Sequence, residues 1–455
     1  MKTYDVIVIG SGCGMSIVED SLNLGSTVAL VDKGPLGGTC PNLGCIPSKI
    51  LIFPADRLME LREAKKLGID VEVKSIDFQG IMARMRDFVR RNQAEMRQGL
   101  EHVPNLGYYE GEGHFVDDHT IEVNGQSIRG EKIFIAAGSR PAVPPIKGLV
   151  EAGYLTNENV LQLTERPESL AILGGGAIAV EYGHFFSAMG TRVTMLELAE
   201  RLVLSEEKEI SDLLKQELGK RLDVYTGVQT DGVVRKDGKL VIVATERAGG
   251  KRLEVIADKL LVATGRKSNA DTLRVENAGI EVDKRGYIKT NEFLETNKRH
   301  VFVAGDSDGE QMFTHVANRE ASVAFHNAMH GSRLKMDYAS APHAIYTYPE
   351  IASVGLTEEN ARKTHKVLIG RARFAEIATG EIMLERLGYA KAVVDAGARK
   401  ILGFHIIGPY APMLIQEVIN AMASGGGIDQ IHAGMHIHPA QTELIPWTFG
   451  RLTES

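Results

Sequence analysis

One pattern occurs twice in this chain, and it limits the fold more than any other feature. Residues 4–32 read as a strand, a glycine-rich turn, a helix and a second strand. Val6-Ile7-Val8-Ile9 is an unbroken apolar run, as in a strand covered on both faces. The turn is Gly10-Ser11-Gly12-Cys13-Gly14-Met15, and the second strand ends on Asp32. Residues 169–197 repeat the scheme with strand 170–173, the turn Gly174-Gly175-Gly176-Ala177-Ile178-Ala179, a helix, strand 192–196 and Glu197. Glycines at the first two fixed positions permit a tight turn and close approach to a pyrophosphate, which rests on the helix N-terminus. An acid about 20 residues further on meets a ribose hydroxyl. Two copies imply two dinucleotides. Gly10, Gly12 and Asp32 are candidate contacts for one, and Gly174, Gly176, Ala179 and Glu197 for the other.

The first copy departs from the fingerprint. Met15 stands where a third glycine is expected, so close helix–strand packing is either compromised or falls to Gly14. Cys13 reads as a small residue of the turn. In the second copy Ala179 is a permitted replacement. Glu197 would repel a 2′-phosphate and so favours NAD over NADP, with nearby Arg201 softening that preference. The plainer reading of Glu197 is a solvated strand end. The duplication extends further, because Ala136-Ala137-Gly138 closes the first half as Ala263-Thr264-Gly265 closes the second.

Between the two copies lies Gly37-Gly38-Thr39-Cys40-Pro41-Asn42-Leu43-Gly44-Cys45-Ile46-Pro47-Ser48-Lys49, holding two of only three cysteines. Five residues of regular helix rise about 7.5 Å and turn the side chains about 140° apart. Cys40 and Cys45 can therefore pair only if the segment between them is irregular, which Pro41 and Gly44 favour. So short a loop adds little stability, which points to redox use. A zinc half-site or two buried thiols are the bland alternatives, and zinc needs about four ligands.

A helix is expected over 55–66 and a longer amphipathic one over 78–103, followed by a β meander with an Asn124-Gly125 hairpin signal. Residues 220–265 read as further β structure turning at Asp237-Gly238. Strand 301–303 runs into Ala304-Gly305-Asp306, a carboxylate beside a close backbone approach, suited to a polyol. From about 336 the texture changes to strands 390–394 and 401–407 with a helix near 413–424. The chain ends with His436-Ile437-His438-Pro439-Ala440-Gln441-Thr442-Glu443, in which Glu443 can orient His438 and make it a better base. His432, His436 and His438 suggest metal only weakly.

The 455 residues suggest about three domains. A net charge of −7 argues against a nucleic-acid partner. No apolar run has transmembrane length, the N-terminus does not read as a signal peptide, and three cysteines make no secreted framework. A cytoplasmic, membrane-free protein is expected.

Together these residues resemble the pyridine nucleotide–disulfide oxidoreductases, the family of dihydrolipoamide dehydrogenase, glutathione reductase and mycothione reductase. The resemblance spans the chain through residues 37–49, 174–179, 263–266, 304–306, 347–355 and 438–443. It implies an α/β fold of two Rossmann-like dinucleotide-binding domains, for FAD and NAD(P), and an α+β C-terminal dimerisation domain. The expected limits are 1–150 for the FAD domain, 151–266 for the NAD(P) domain, 267–335 for a return to the central FAD region and 336–455 for the dimerisation domain.

The resemblance further implies a homodimer in which His438 serves the other subunit. Cys45 would lie against the flavin and Cys40 would exchange with a small-molecule or lipoyl-domain disulfide or dithiol. Lys49 and Glu181 match an ion pair near flavin and nicotinamide. Asp306 would hold the ribitol, Ala317 would lie near the flavin ring, and Gly113 would bracket the adenine. Gly38, Thr39, Gly138 and Gly265 fall in the matched cofactor-binding turns. The expected activity is that of an NAD-linked dihydrolipoamide dehydrogenase. The alternative is an NAD(P)H-dependent reductase of a small disulfide of mycothione or glutathione type, and a non-catalytic redox sensor is the alternative from another class. Mercuric reductase is disfavoured because no cysteine follows Cys45. Pro41 and Ser268 depart from the common family pattern, and mycothione reductases usually carry a basic residue at the place of Glu197.

Overall fold

The apolar run near the N-terminus forms the strand Lys2–Ile9, flanked in parallel by Val28–Asp32 on one side and Gln126–Ile135 on the other. Leu106–Glu110 and Val301–Val303 extend this sheet, both in parallel register. Val6 and Val8 face one apolar cluster with Ile17, Ala321 and Phe325, while Ile7 and Ile9 face another with Ile121, Leu273 and Val303. The strand is thus buried on both faces, as an unbroken apolar run requires. Each such side chain contributes about 1.5–3 kcal/mol. The Asn124-Gly125 hairpin forms as expected, with φ of 50° and 77° joining Thr120–Val123 to Gln126–Ile135.

In this computed structural model, which describes residues 1–454, the chain divides into two compact units. The sheet just described belongs to the first, made of residues 1–48, 82–143 and 265–336. The second comprises 49–81, 144–264 and the chain from 337 onward. It holds a second parallel sheet in the order Asp223–Tyr225, Arg192–Leu196, Ser169–Leu173, Lys259–Val262. Beside it lies an antiparallel ribbon of Val228–Lys236, Lys239–Glu246 and Arg252–Ala257. A six-stranded sheet containing Ile351–Gly355, Ile401–Ile407, Tyr389–Asp395 and Val367–Arg373 follows. Its core includes Phe374, Phe404, Val418 and Phe449.

Within the second unit, Lys391 of the six-stranded sheet is buried. It bonds Glu207, Glu209 and Glu358 at 2.9, 2.9 and 2.8 Å. Glu207 and Glu209 lie at the start of the helix Lys208–Leu218, so this cluster ties the dinucleotide-binding segment to the C-terminal sheet.

The expected helix at 55–66 begins ten residues earlier, running Cys45–Glu63 with Pro54 inside it. Burial of Leu51, Ile52 and Ala55 outweighs the hydrogen bond that proline removes. The chain continues through a 3₁₀ turn, Ala64–Leu67, and the next helix is Phe78–Leu100.

Candidate active site

The cysteine segment is irregular where irregularity is needed. Gly37 and Gly38 have φ of 90° and 68°. A short helix Thr39–Leu43 follows, and Gly44 breaks it with φ −135°, ψ −113° before Cys45 opens the long helix. A Cβ on Gly44 would lie 3.1 Å from the Thr39 carbonyl oxygen and 3.5 Å from the Cys40 Cα. The chain therefore folds back over the preceding turn. Buried Asn42 clamps this loop. Its Nδ2 donates to the carbonyls of Leu36 and Gly38 at 2.7 and 2.8 Å, and its Oδ1 accepts from Gln93 at 2.8 Å. Cys40 is half-buried and Cys45 exposed. Cys45 Sγ lies 3.5 Å from Thr314 Oγ1. Neither Asn42 nor Thr314 stands out in the sequence. Asn42 reads as a turn residue, and Thr314 lies too far along the chain for any local signal.

The two glycine turns share one device. A Cβ on Gly10, at φ 102°, would sit 2.2 Å from the Ala136 carbonyl oxygen, and one on Gly174, at φ 116°, 2.3 Å from that of Ala263. The repeated closing segments are thus what the first glycine of each turn crosses. Gly14 performs the helix–strand packing, since a Cβ there would meet Val8 Cγ1 at 2.8 Å and Ala136 Cβ at 3.2 Å. Met15 is left half-buried beside that core. Gly38 approaches Gly12 so closely that a Cβ would lie 2.9 Å from the Gly12 Cα, which joins the cysteine loop to the first turn.

Asp32 accepts the amides of Ser11 and Gly34, each at 2.5 Å. With Gly10, Glu112, Gly113, Ala137 and Asn269 it lines one cavity. Gly12 and Gly138 both face open space where a side chain would project. The Asp306 carboxylate accepts from Ser139 Oγ at 2.5 Å and pairs with Arg266 at 3.4 Å. Ala317 is buried against Gly305. Nearby Asp308 is buried, and burial pushes its carboxyl up to about 7; its Oδ2 has no partner among the described residues. An open glycine cradle, an anchored acid and a buried carboxyl oxygen awaiting a partner fit a flavin dinucleotide. Burial pushes Cys13 up to about 12, so it supplies no thiolate.

In the second turn Gly176 precedes the helix Ala177–Ala188 and faces open space, while Ala179 is fully buried in that helix. Glu197 is half-buried, its Oε1 accepting the Ala199 amide at 2.6 Å, and its side chain flanks Gly175. Gly265 has φ 116° and open space beside it. Lys49 donates to both carboxylate oxygens of buried Glu181, at 3.0 and 2.8 Å. The Tyr346 amide donates to the same carboxylate at 3.0 Å, and the ammonium lies 4.6 Å from the Tyr346 ring centre.

A second cross-link between these two helices was not anticipated from the sequence. Buried His184 accepts at Nδ1 from Arg221 at 2.6 Å, because guanidinium only donates. Its Nε2 therefore carries the hydrogen toward Asp56 Oδ1, 2.8 Å away. Burial raises Asp56 to about 7 and holds His184 well below its usual range, where Arg221 adds to the effect.

At the C-terminal end His438 Nδ1 meets Glu443 Oε1 at 2.9 Å, and Glu443 also accepts the Ala440 amide at 3.2 Å. The hydrogen bond from His438 holds the Glu443 carboxyl below its usual range. The imidazole is 71% exposed, so its other nitrogen is open to an external group. Neighbouring His436 instead pairs with Glu417 at 2.9 Å. The cysteines lie in the first unit and His438–Glu443 in the second.

Comparison with known proteins agrees with this geometry. Residues 4–321 match the family described as "Pyridine nucleotide-disulphide oxidoreductase", and residues 341–449 match its dimerisation domain. The chain is 33% identical to mycothione reductase of Mycobacterium tuberculosis over 98% of both proteins. It is 33% identical to dihydrolipoyl dehydrogenase of Thermus scotoductus over 97% of this chain and 96% of the relative. It is 34% identical to mercuric reductase of Staphylococcus aureus over 94% of this chain and 78% of that one. Among solved structures, the HOCl-induced flavoprotein disulfide reductase RclA of Escherichia coli superposes with a TM-score of 0.86 at 27% identity, covering 98% of this chain and 99% of that one. The family uses FAD and NAD(P)H. No helix among the described residues is long and apolar enough to cross a membrane. Two duplicated dinucleotide turns, a cysteine pair on a broken helix and matches along nearly the whole length lead to one assignment: the chain is a flavin-dependent enzyme of the class I pyridine nucleotide–disulfide oxidoreductase family.

Proposed function

We propose that this enzyme is an NAD-linked oxidoreductase of the dihydrolipoamide dehydrogenase type, exchanging electrons between a dithiol or disulfide substrate and NAD by way of Cys40 and Cys45. The observation that carries the NAD preference is Glu197. A Cβ on Gly175 would lie 2.9 Å from its Oε2, so the carboxylate borders the turn where a ribose would sit and opposes a phosphate there. FAD, when bound, supplies the two-electron link between nicotinamide and the sulfur pair.

Cys40 is the sulfur that exchanges with substrate and Cys45 the one that would face the flavin. Exchange needs a thiolate. His438, oriented by Glu443, accepts the substrate thiol proton at its open nitrogen and returns it in the reverse direction. His438 does this for the cysteines of a second copy, and a homodimer follows. Its support is the dimerisation-domain match and the exposure of Met413, Met435, Ile437 and Trp447 in the segment which that match covers. Lys49 places a positive charge on the cysteine-bearing helix, and Glu181 holds it there. We place the domain limits at 1–150, 151–266, 267–335 and 336–455.

A second reading, a reductase of a small disulfide, is favoured by the end-to-end match with mycothione reductase. Turnover of lipoamide, glutathione disulfide and mycothione disulfide, each with NADH and NADPH, separates the two. Lipoamide with NADH should be fastest by at least about tenfold. Fast reduction of mycothione disulfide without lipoamide activity would establish the second reading, and a preference for NADPH would remove the role given to Glu197.

A further inference from the structure

Away from the dinucleotide turns, the loop between Gly113–Phe115 and Thr120–Val123 sets Asp118 and His119 beside His300, which precedes the strand Val301–Val303. All three are half-buried, and one donor atom of each lies within 4.8 Å of the others. The loop is firmly held. Asp117 Oδ1 accepts the His119 amide at 2.9 Å, and the Gly130 amide donates to the His119 carbonyl at 3.0 Å.

The ring hydrogen bonds define the tautomers. His119 Nδ1 is 2.8 Å from the Gly130 carbonyl oxygen, and His300 Nε2 is 2.7 Å from that of Asp118. A carbonyl only accepts, so both of these nitrogens carry hydrogen. In the neutral rings Nε2 of His119 and Nδ1 of His300 then keep their lone pairs. Metal-binding histidines are typically anchored this way, with the outer N–H on a carbonyl or carboxylate and the inner nitrogen presented to the ion. The rings stack with centroids 3.8 Å apart and planes 6° from parallel. Parallel planes do not share an in-plane ion, so to close the site one ring turns about its Cβ–Cγ bond and gives up its carbonyl hydrogen bond, while the other stays anchored.

We propose that Asp118, His119 and His300 bind one divalent transition cation of borderline softness, Zn²⁺ or Cu²⁺, at a site separate from the cysteine pair. Two imidazoles and a carboxylate suit such ions, whereas Mg²⁺ and Ca²⁺ prefer all-oxygen sites. His300 and Gly305 stand at opposite ends of one short strand, about 16 Å apart at the usual strand rise. The ion therefore ties the loop to the sheet and takes no part in sulfur or hydride chemistry.

The test uses untagged, full-length, flavin-loaded protein with its cysteines oxidised, titrated with Cu²⁺ and followed by electron paramagnetic resonance. One Cu²⁺ per chain with hyperfine splitting from two nitrogens is expected. His119→Gln and His300→Gln should each weaken binding at least about tenfold and reduce the splitting to one nitrogen, while Cys40→Ser leaves both unchanged. His432, His436 and His438 also offer nitrogens, so a two-nitrogen signal surviving both substitutions would overturn the proposal, as would the absence of saturable binding. Flavin content and melting temperature in EDTA establish that the variants fold. Should either histidine variant lose its flavin, Asp118→Asn replaces it as the test: weaker Cu²⁺ binding supports the site and unchanged binding refutes it.

Discussion

At the scale of single residues, the chemistry rests on two sulfurs and one imidazole. Cys40→Ser should leave a yellow, folded protein whose disulfide turnover falls by about three orders of magnitude or more, because Cys45 alone cannot form the internal disulfide that stores two electrons. Stopped-flow flavin reduction by NADH, measured beside steady-state turnover, checks this. His438→Ala should slow thiol exchange by about 10²- to 10⁴-fold, the usual range for a lost general base, and leave flavin reduction by NADH nearly unchanged. Equal slowing of both half-reactions would remove His438 from proton transfer. Cys13 should react with thiol reagents more slowly than exposed Cys45 in the folded protein, given its partial burial and strongly raised thiol.

At the scale of elements, each glycine turn works because a strand end crosses it without a side chain between. Gly174→Ala would place a Cβ 2.3 Å from the Ala263 carbonyl at a φ of 116°. It should cost about 1–3 kcal/mol in stability and weaken NADH binding while flavin content stays near one per chain. Calorimetry and the flavin absorption spectrum measure the two effects separately. The cysteine-bearing helix is similarly dependent on its contacts. Pro54 lies within it, and the pairs Lys49–Glu181 and Asp56–His184 fasten it to the helix Ala177–Ala188.

At the scale of the whole molecule, the second unit is held together by the charge cluster around Lys391. Lys391→Ala would leave Glu207, Glu209 and Glu358 facing one another with their shared cation gone. It should cost about 3–5 kcal/mol, the usual penalty for breaking a buried ion pair, read from denaturant unfolding. Burial opposes ionisation of Glu209, but hydrogen bonds from Arg371 and Lys391 outweigh it and lower that carboxyl to about 2. A carboxyl lower in the folded than in the unfolded chain stabilises above its unfolded value, near 4.5. That stability fades as pH falls from about 4.5 toward 2. Acid unfolding of the wild type in that window should be steeper than that of Glu209→Gln, which lacks the titrating group.

The fold and the broken helix between Cys40 and Cys45 were legible in the linear chain because each is written in short-range spacing. A strand, two fixed glycines and an acid recur at nearly the same interval, 22 residues from Gly10 to Asp32 and 23 from Gly174 to Glu197, and Cys40 and Cys45 stand on either side of Gly44. His438 and Glu443 were legible for the same reason, being five residues apart on one turn. Tertiary structure alone decided that Gly14 rather than Met15 lets the first helix approach its strand, since only packing shows which Cβ would collide with Val8. It alone placed Thr314 beside Cys45, Arg221 against His184 and His300 over His119. These partners come from distant parts of the chain, where no periodicity links them. Local pattern specifies backbone turns and faces, whereas the partner of a buried polar group is chosen only when the sheets and helices close around it.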